Sequence, residues 1–260
     1  MINSGQNNYH IAGQESTKKM YQNQATADDY IRRRFSLPVW LMLHQREVKI
    51  LNHLIKQDQI QQILELAPGP ARVTRFIKPK FFQQGWGLDS SNQMLGIARS
   101  VLGKKWQLSQ GDAFELPYSE GKFDLVMTFR FIRHFRLSDR VKLYQEIHKV
   151  LKQDGYLVFE ALNKNMAAFA FHEAGIGKKN IYDELWTQES LSQELTQNGF
   201  EIVKLIPIIN HFKFSWKLQE LVAKLFSRRL SKYPVTWLCH LIDLFSSSHN
   251  YQWEVIARKS

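Results

Sequence analysis

Apolar runs alternate along this chain with segments whose apolar residues recur every three to four positions. The pattern predicts helices after Ala71, Ser91 and Ser138, each lying between two strands. Such alternation favours a mostly parallel sheet. Seven runs read as strands: 62–66, 85–89, 105–110, 123–129, 156–161, 200–209 and 251–258. We therefore predict a doubly wound α/β fold with a seven-stranded, mostly parallel sheet.

Further helical patterns lie outside this alternation. One begins near Thr26, a second follows Pro38, and an insertion before the last strand has helical spacing on both sides of Pro234. Gly155 is expected to end the helix before the fifth strand, because glycine commonly terminates helices. The predicted division is a mobile polar tail (1–26), N-terminal cap helices (27–58) and one α/β domain (59–260) containing a helical insertion (212–248).

The strongest local signal is the segment Ile63-Leu-Glu-Leu-Ala-Pro-Gly-Pro-Ala-Arg72. An apolar strand containing Glu65 leads into a turn of small residues, Ala67, Gly69 and Ala71. Small side chains let the backbone approach a ligand closely, and the start of a following helix suits anions. The alternative is an ordinary turn of an α/β fold.

Two acids follow at the ends of later strands. Asp89 lies 20 positions after Gly69, which is the spacing at which dinucleotide folds place a ribose-binding carboxylate. Alternatively, it caps the helix that starts near Ser91. Asp112 follows the third strand and is expected to accept a hydrogen bond from an adenine amino group, with Phe114 or Leu116 covering the ring.

These segments occur in the order seen in class I S-adenosylmethionine methyltransferases, which the sequence resembles over about 60–204 and again at 253–259. Besides the strand and turn at Ile63 to Arg72, the resemblance is carried by Gly87-Leu-Asp-Ser-Ser-Asn-Gln-Met-Leu95, Gly111-Asp-Ala-Phe-Glu-Leu-Pro117, Phe123-Asp-Leu-Val-Met127 and Leu151-Lys-Gln-Asp-Gly-Tyr-Leu-Val-Phe159. The resemblance implies a doubly wound fold and S-adenosylmethionine as cofactor.

The resemblance also implies a role for each matching residue. The implied cofactor-binding residues are Glu65, Ala67, Gly69 and Ala71 around the methionine part, Asp89 and Ser90 at the ribose, Met94 beside the adenosine, Asp112, Ala113 and Phe114 at the adenine, and Arg130. The family's usual turn is Gly-x-Gly-x-Gly. This chain has alanine at both outer positions, and alanine reaches positive φ less readily than glycine.

The segment after the fourth strand faces the methyl acceptor in this family. His134 is our candidate general base, because imidazole titrates near neutrality; the alternative is a structural histidine at a helix start. Of Arg130 and Arg133, one is expected to point inward. Residues 163–186 are a candidate lid, and Tyr30 or Arg34 is a candidate contact to the methionine end.

Composition bears on the cellular location, on membrane spans and on metal binding. The chain has 260 residues, a formal charge of +11 and one cysteine, Cys239, so no intrachain disulfide forms and a reducing cytoplasm is expected. The N-terminal residues lack the apolar core of a signal peptide, and no apolar run reaches the ~18 residues of a membrane span. The histidines show no metal-ligand spacing, so no metal is expected.

We favour a small-molecule or lipid-like acceptor methylated by direct displacement. Three alternatives stay open: an RNA methyltransferase, which the positive charge favours; a nicotinamide oxidoreductase, which shares the fold; and a non-catalytic or membrane-associated scaffold, which the basic amphipathic insertion suggests. Nucleic acid is the less expected partner. The aromatic residues Phe212, Phe214 and Trp216 are expected to give the acceptor pocket an apolar wall.

Overall fold

A computed structural model describes residues 38–166, 169, 182–225, 228–243 and 250–260. Several predicted features lie outside these residues. They are the polar tail, the first cap helix with Tyr30 and Arg34, and most of the candidate lid.

The sheet has seven strands in the order β3-β2-β1-β4-β5-β7-β6. Strands β1 to β5 pair in parallel, whereas β7 runs antiparallel to both β5 and β6. The predicted fold class is therefore confirmed. The strands are β1 (Gln62–Leu66), β2 (Gln84–Asp89), β3 (Trp106–Gln110), β4 (Phe123–Thr128), β5 (Leu151–Leu162), β6 (Phe200–Ile208) and β7 (Gln252–Lys259).

Helices cover both faces of this sheet. Tyr144, Ile147 and Leu195 pack on one face, and Leu51, Ile55 and Phe82 pack on the other, all of them buried. The α-helices of the described residues are α1 (Pro38–Gln57), α2 (Asn92–Val101), α3 (Leu137–Val150), α4 (Gln188–Gln197), α5 (Phe212–Leu225) and α6 (Arg228–Ile242). Thr187 caps α4 by accepting from the Ser190 backbone, as its sequence suggests.

The helix predicted after Ala71 is wrong. Between β1 and β2 the chain forms only two short 3₁₀ turns, Thr74–Phe76 and Pro79–Phe81. Ala71 itself has a φ of 58°, which no α-helix allows, and Pro79 removes a backbone donor soon after. The first crossover therefore joins two parallel strands without an α-helix.

The expected boundary at Gly155 is also wrong. Helix α3 ends at Val150 and β5 begins at Leu151, so Gly155 lies inside the strand. Asp154, the preceding residue, takes the positive φ of 60°. A Cβ on Gly155 would lie 2.9 Å from the Lys152 carbonyl oxygen, so close backbone approach explains the glycine better than helix termination does.

The hairpin of α5 and α6 packs on α1 through a third apolar cluster. Phe212 and Trp216 of α5 and Cys239 of α6 are buried there, together with Val39 and Met42 of α1. Other apolar residues of the two helices are exposed to solvent: Phe214, Leu221, Leu238 and Leu241. Among the described residues, no helix is both long enough and apolar enough to cross a membrane.

Candidate functional site

A pocket opens at the carboxyl ends of β1, β2 and β4, where the strand order reverses and open α/β folds bind ligands. Every residue that we assigned to cofactor binding lines this pocket except Ala71, which is fully buried behind the turn. The structure thus brings together Glu65, Ala67, Gly69, Asp89, Ser90, Met94, Asp112, Ala113, Phe114 and Arg130. Their role in binding stays a prediction.

The turn after β1 keeps a glycine-like backbone despite its alanines. Ala67, Gly69 and Ala71 have φ values of 52°, 56° and 58°. Alanine in this left-handed region costs on the order of 1 kcal/mol, so the fold holds the alanines there against their preference. The departure from the family's glycine pattern therefore changes the conformational energy of the turn more than its shape.

Asp89 fixes this turn to the end of β2. Its Oδ2 accepts a hydrogen bond from the Gly69 backbone at 2.9 Å, and its Oδ1 accepts one from the Ser91 backbone at 2.9 Å. Burial raises the pKa of Asp89, while these hydrogen bonds from Ser91 and Gly69 favour its ionised form. Ser91, rather than Asp89, caps α2, because its side chain accepts from the Met94 backbone. Each Asp89 oxygen has a second lone pair for a ligand hydroxyl.

Glu65 is a buried acid at the floor of the pocket. Its carboxylate accepts a hydrogen bond from the Thr74 hydroxyl. Burial raises the pKa of Glu65 to about 7; Thr74 and Arg72 oppose the shift, and Asp89 adds to it. A cation entering beside Glu65 would favour the ionised carboxylate, so this residue is suited to a positively charged ligand group.

The far end of the pocket is shaped by the loop after β3. Asp112 Oδ1 accepts from the Phe114 backbone at 3.0 Å, which holds this loop. A Cβ on Gly111 would lie 2.7 Å from Leu88 Cδ1, so only glycine lets the loop pass this close to β2. The Phe114 ring meets Phe135 edge to face, with centroids 5.1 Å apart. Phe114 lines the pocket and Leu116 does not, so Phe114 is the one of the two that stays a predicted ring cover.

One side of the pocket is formed by the segment that follows β4, through Arg130 and three phenylalanines. Arg130 has a φ of 60°, and its backbone N–H donates to Glu160 Oε1 at 2.6 Å. A buried carboxylate from β5 thus holds a strained residue at the wall of the pocket. The phenylalanines are Phe129, Phe131 and Phe135. This side combines one cationic residue with a largely aromatic surface.

His134, our candidate base, does not line the pocket. It is buried in a short 3₁₀ turn, with Nδ1 3.0 Å from Asp183 Oδ1 and 3.1 Å from the Tyr182 carbonyl oxygen. Arg133 points to the same carboxylate, with Nε 2.9 Å from Asp183 Oδ1. Of the two arginines, Arg130 therefore faces the pocket and Arg133 holds the wall behind it.

Sequence reasoning missed a buried ionic network behind the turn. Arg72 lines the pocket and donates to Glu47 Oε2 of α1 at 2.5 Å. Gln252 of β7 donates to the other Glu47 oxygen at 3.3 Å, and Glu254 lies buried nearby. Burial first, then the charges of Glu47 and Glu160, raise the pKa of Glu254 well above its ordinary value. The sequence offered one signal of this network: Glu160 and Glu254 each interrupt an apolar run that was predicted to be a strand.

The aromatic wall expected from the hairpin is wrong. No described residue of α5 or α6 lines the pocket. Phe212 and Trp216 instead pack around Trp40 and Tyr251 in the cluster on α1, and Phe214 is 57% exposed. The apolar surface beside the pocket comes from the segment after β4.

The donors and acceptors of this pocket fit S-adenosylmethionine. Glu65 suits an ammonium group, Asp89 suits ribose hydroxyls, and Asp112 with Phe114 suits a purine ring. Within the described part of the chain, no group of three or more histidines, cysteines or acids could hold a metal ion.

Comparison with known proteins agrees with this arrangement. The family described as "Methyltransferase domain" matches residues 64–159. A demethylmenaquinone methyltransferase of Thermotoga maritima is 37% identical over 118 residues, which are 45% of this chain and 50% of that protein. The enzyme of the same name from Alkalihalophilus pseudofirmus is 31% identical over 46% of this chain and 61% of its own. The matches thus span about half the length of these relatives.

Solved structures with this fold align over most of the chain. A magnesium protoporphyrin IX methyltransferase from Synechocystis with bound SAH has a TM-score of 0.63 at 14% identity, covering 94% of this chain and 98% of that one. A putative methyltransferase in complex with the Trm112 activator of Haloferax volcanii has a TM-score of 0.61 at 16% identity, covering 91% and 96%. At these identities the likeness concerns the fold.

Residues 64–159 thus match the methyltransferase domain family, and the strand order and the pocket at its switch point are those of the class I S-adenosylmethionine-dependent methyltransferase fold. The predicted family resemblance and the predicted cofactor are supported over this matched segment, and methyl transfer by the whole protein is taken up as a proposal below.

Proposed function

We propose that the protein transfers the methyl group of S-adenosylmethionine to a small, largely apolar acceptor. One observation carries the proposal: the pocket that gathers the predicted cofactor residues continues into a wall of Phe129, Phe131 and Phe135 beside Arg130. Relatives named for demethylmenaquinone and magnesium protoporphyrin IX support an acceptor of small-molecule size. The expected cytoplasmic location stays a prediction.

S-adenosylmethionine, when bound, supplies a methyl group activated by a positively charged sulfur. The role of the protein is then to position the acceptor, because displacement needs the nucleophilic atom in line with the methyl–sulfur bond. Phe131 and Phe135, whose centroids lie 4.9 Å apart, offer an aromatic surface for that purpose. Arg130 would hold an anionic or polarised oxygen of the acceptor.

A base is needed only if the acceptor atom still carries its proton. His134 remains our candidate, and the carboxylate of Asp183 fits the task of orienting its ring. Burial acts to raise the pKa of Asp183, but Arg133, His134 and Arg130 outweigh it and lower that pKa. Because His134 does not line the pocket, base catalysis by this residue would need the ring to reach the acceptor from behind the wall.

The test combines binding with turnover. Calorimetry should detect S-adenosylmethionine and S-adenosylhomocysteine binding to the full chain without added metal. A screen of apolar ring compounds carrying hydroxyl or activated carbon nucleophiles should then yield a product heavier by one methylene unit. Binding without turnover on any such compound, together with methylation of RNA, would contradict the small-molecule acceptor.

The wall can be tested by a pair of variants. Phe131→Ala should raise KM for the acceptor and leave cofactor affinity unchanged, because the ring follows β4 and is not among the residues predicted to bind the cofactor. Phe81→Ala, a partly buried phenylalanine outside the pocket, is the matched control. Equal effects of the two variants would remove Phe131 from the acceptor site.

A further inference from the structure

The hairpin of α5 and α6 carries an apolar surface that no described residue covers. Of the nine large apolar side chains exposed in the described part of the chain, five lie on these two helices. Trp237 is the most exposed of them, at 65%. The five are Phe214, Leu221, Trp237, Leu238 and Leu241, hereafter the hairpin face. Clustered exposure of this kind marks an interaction surface more often than scattered single residues do.

The helical spacing explains why this face points outward. In α6, Val235, Thr236 and Cys239 are buried, so Trp237 and Leu241, four positions apart, share the opposite side of the helix. Because the buried side packs on α1, the other side must face solvent. These apolar residues add nothing to the core.

A basic groove adjoins the hairpin face. It runs between α1 and the β6–β7 edge of the sheet. The groove has an apolar base of Ile50, Leu54, Ile206, Pro207 and Ile256, and its polar lining contains Arg46, Lys49, His53 and Lys204 but no acid. Lys49, His53 and Lys204 are exposed.

Direct contacts join the groove to α6. His240 Nε2 lies 2.9 Å from Gln45 Oε1 of α1, and Arg46 pairs with Asp243 at 2.9 Å. His240 is three positions from Trp237 and adjacent to Leu241, so the hairpin face begins where the groove ends. Arg46 pairs with an acid, which leaves Lys49 and Lys204 as the unopposed cations among the described residues of the groove.

We propose that the hairpin face and the basic groove together dock the protein onto an anionic lipid surface. Apolar side chains with an exposed tryptophan suit the boundary between headgroups and acyl chains, and lysines beside them suit anionic headgroups. The exposed side of α5 adds Lys213 and Lys217 against Glu220. The net charge of +11 acts in the same direction at longer range. This docking needs no methyl transfer, so it stands or falls independently of the proposed function.

The test is co-sedimentation of the full chain with vesicles, without cofactor. Phosphatidylcholine vesicles containing phosphatidylglycerol should carry the protein down, whereas pure phosphatidylcholine vesicles should not, and salt should weaken the binding. Trp237→Ser with Leu241→Ser should lower the bound fraction at least fivefold. Lys49→Glu with Lys204→Glu should abolish the preference for anionic vesicles.

Matched controls lie at the opposite edge of the sheet. Val101 is 42% exposed and Lys104 is exposed, so Val101→Ser with Lys104→Glu makes changes of the same kind outside the proposed surface and should leave vesicle binding intact. Circular dichroism checks that each variant is folded.

Three outcomes would overturn the proposal. The first is that the protein stays in the supernatant with both types of vesicle. The second is a dimer in solution that the Trp237→Ser and Leu241→Ser changes dissociate, since a second copy would then be the occupant. The third is tight RNA binding that depends on Lys49 and Lys204 while the protein does not bind vesicles.

Discussion

Cofactor affinity should depend on pH through Glu65. The pKa of this buried acid is raised to about 7, so in the free protein it is largely protonated at pH 6. A ligand ammonium beside it favours the ionised form, and binding then has to release a proton. Affinity should therefore rise with pH through 7, because less free energy is spent on deprotonation.

The magnitude follows from the ionised fraction. With a pKa of about 7, that fraction is about 0.1 at pH 6 and about 0.5 at pH 7, which predicts roughly a fivefold fall in Kd, or about 1 kcal/mol. Below pH 6 the slope should approach about tenfold per pH unit. The useful range ends near pH 7.5, where an α-amino group on the ligand begins to lose its own proton.

Other groups near Glu65 should not imitate this effect. The pKa of His44, lowered to about 3 by burial and by Arg72 and Arg75, keeps that ring neutral throughout the range. Arg72 stays charged. Burial raises the pKa of Asp89, and hydrogen bonds from Ser91 and Gly69 oppose that rise, so the Glu65→Gln variant is needed to separate the two acids. The pH dependence that this variant loses should belong to Glu65.

Calorimetry in two buffers of different ionisation enthalpy measures both Kd and the protons released. Wild type should release close to one proton per ligand at pH 6 and about half a proton at pH 7. Glu65→Gln should bind more weakly, with a Kd that is nearly flat over this range. A wild-type Kd that changes less than twofold from pH 6 to 7, or the same slope in Glu65→Gln, would refute the reasoning.

Three further outcomes are expected. Asp89→Ala should weaken S-adenosylhomocysteine binding by about 1–3 kcal/mol in calorimetry, since its carboxylate also fixes Gly69; unchanged affinity in a folded variant would remove it from the site. Ala67→Gly should raise the free energy of unfolding in urea by about 0.5–1 kcal/mol, because glycine relieves the φ of 52°, and a loss of stability would argue against that strain. Glu254→Gln should become more stable relative to wild type as pH rises from about 4.5, by up to about 1.4 kcal/mol per pH unit. The reason is that the raised folded-state pKa of Glu254 makes the wild type lose stability over this range. A difference in thermal midpoint between variant and wild type that is the same at pH 5 and pH 8 would contradict this.

The order of strands along the chain and the place of the candidate site follow from patterns in the sequence. Alternating apolar runs placed the strands within a residue or two, apart from the early start of β5. Gly69, Asp89 and Asp112 could be assigned to one site because the carboxyl ends of neighbouring parallel strands meet at the same sheet edge. Local periodicity predicts the strands, because it follows from backbone geometry. The order of the motifs along the chain predicts which strand ends share the site.

Features that depend on contacts between residues distant in sequence could not be predicted from local patterns. Positive φ at Ala67 and Ala71 overrides residue preference because the surrounding fold holds the turn. Glu47 and Glu160 support the pocket from behind, because the fold brings α1 to Arg72 and β5 to the Arg130 backbone. The exposed side of the hairpin was decided in the same way: both of its faces contain apolar residues, and the face that packs on α1 is fixed by the shape of the assembled core.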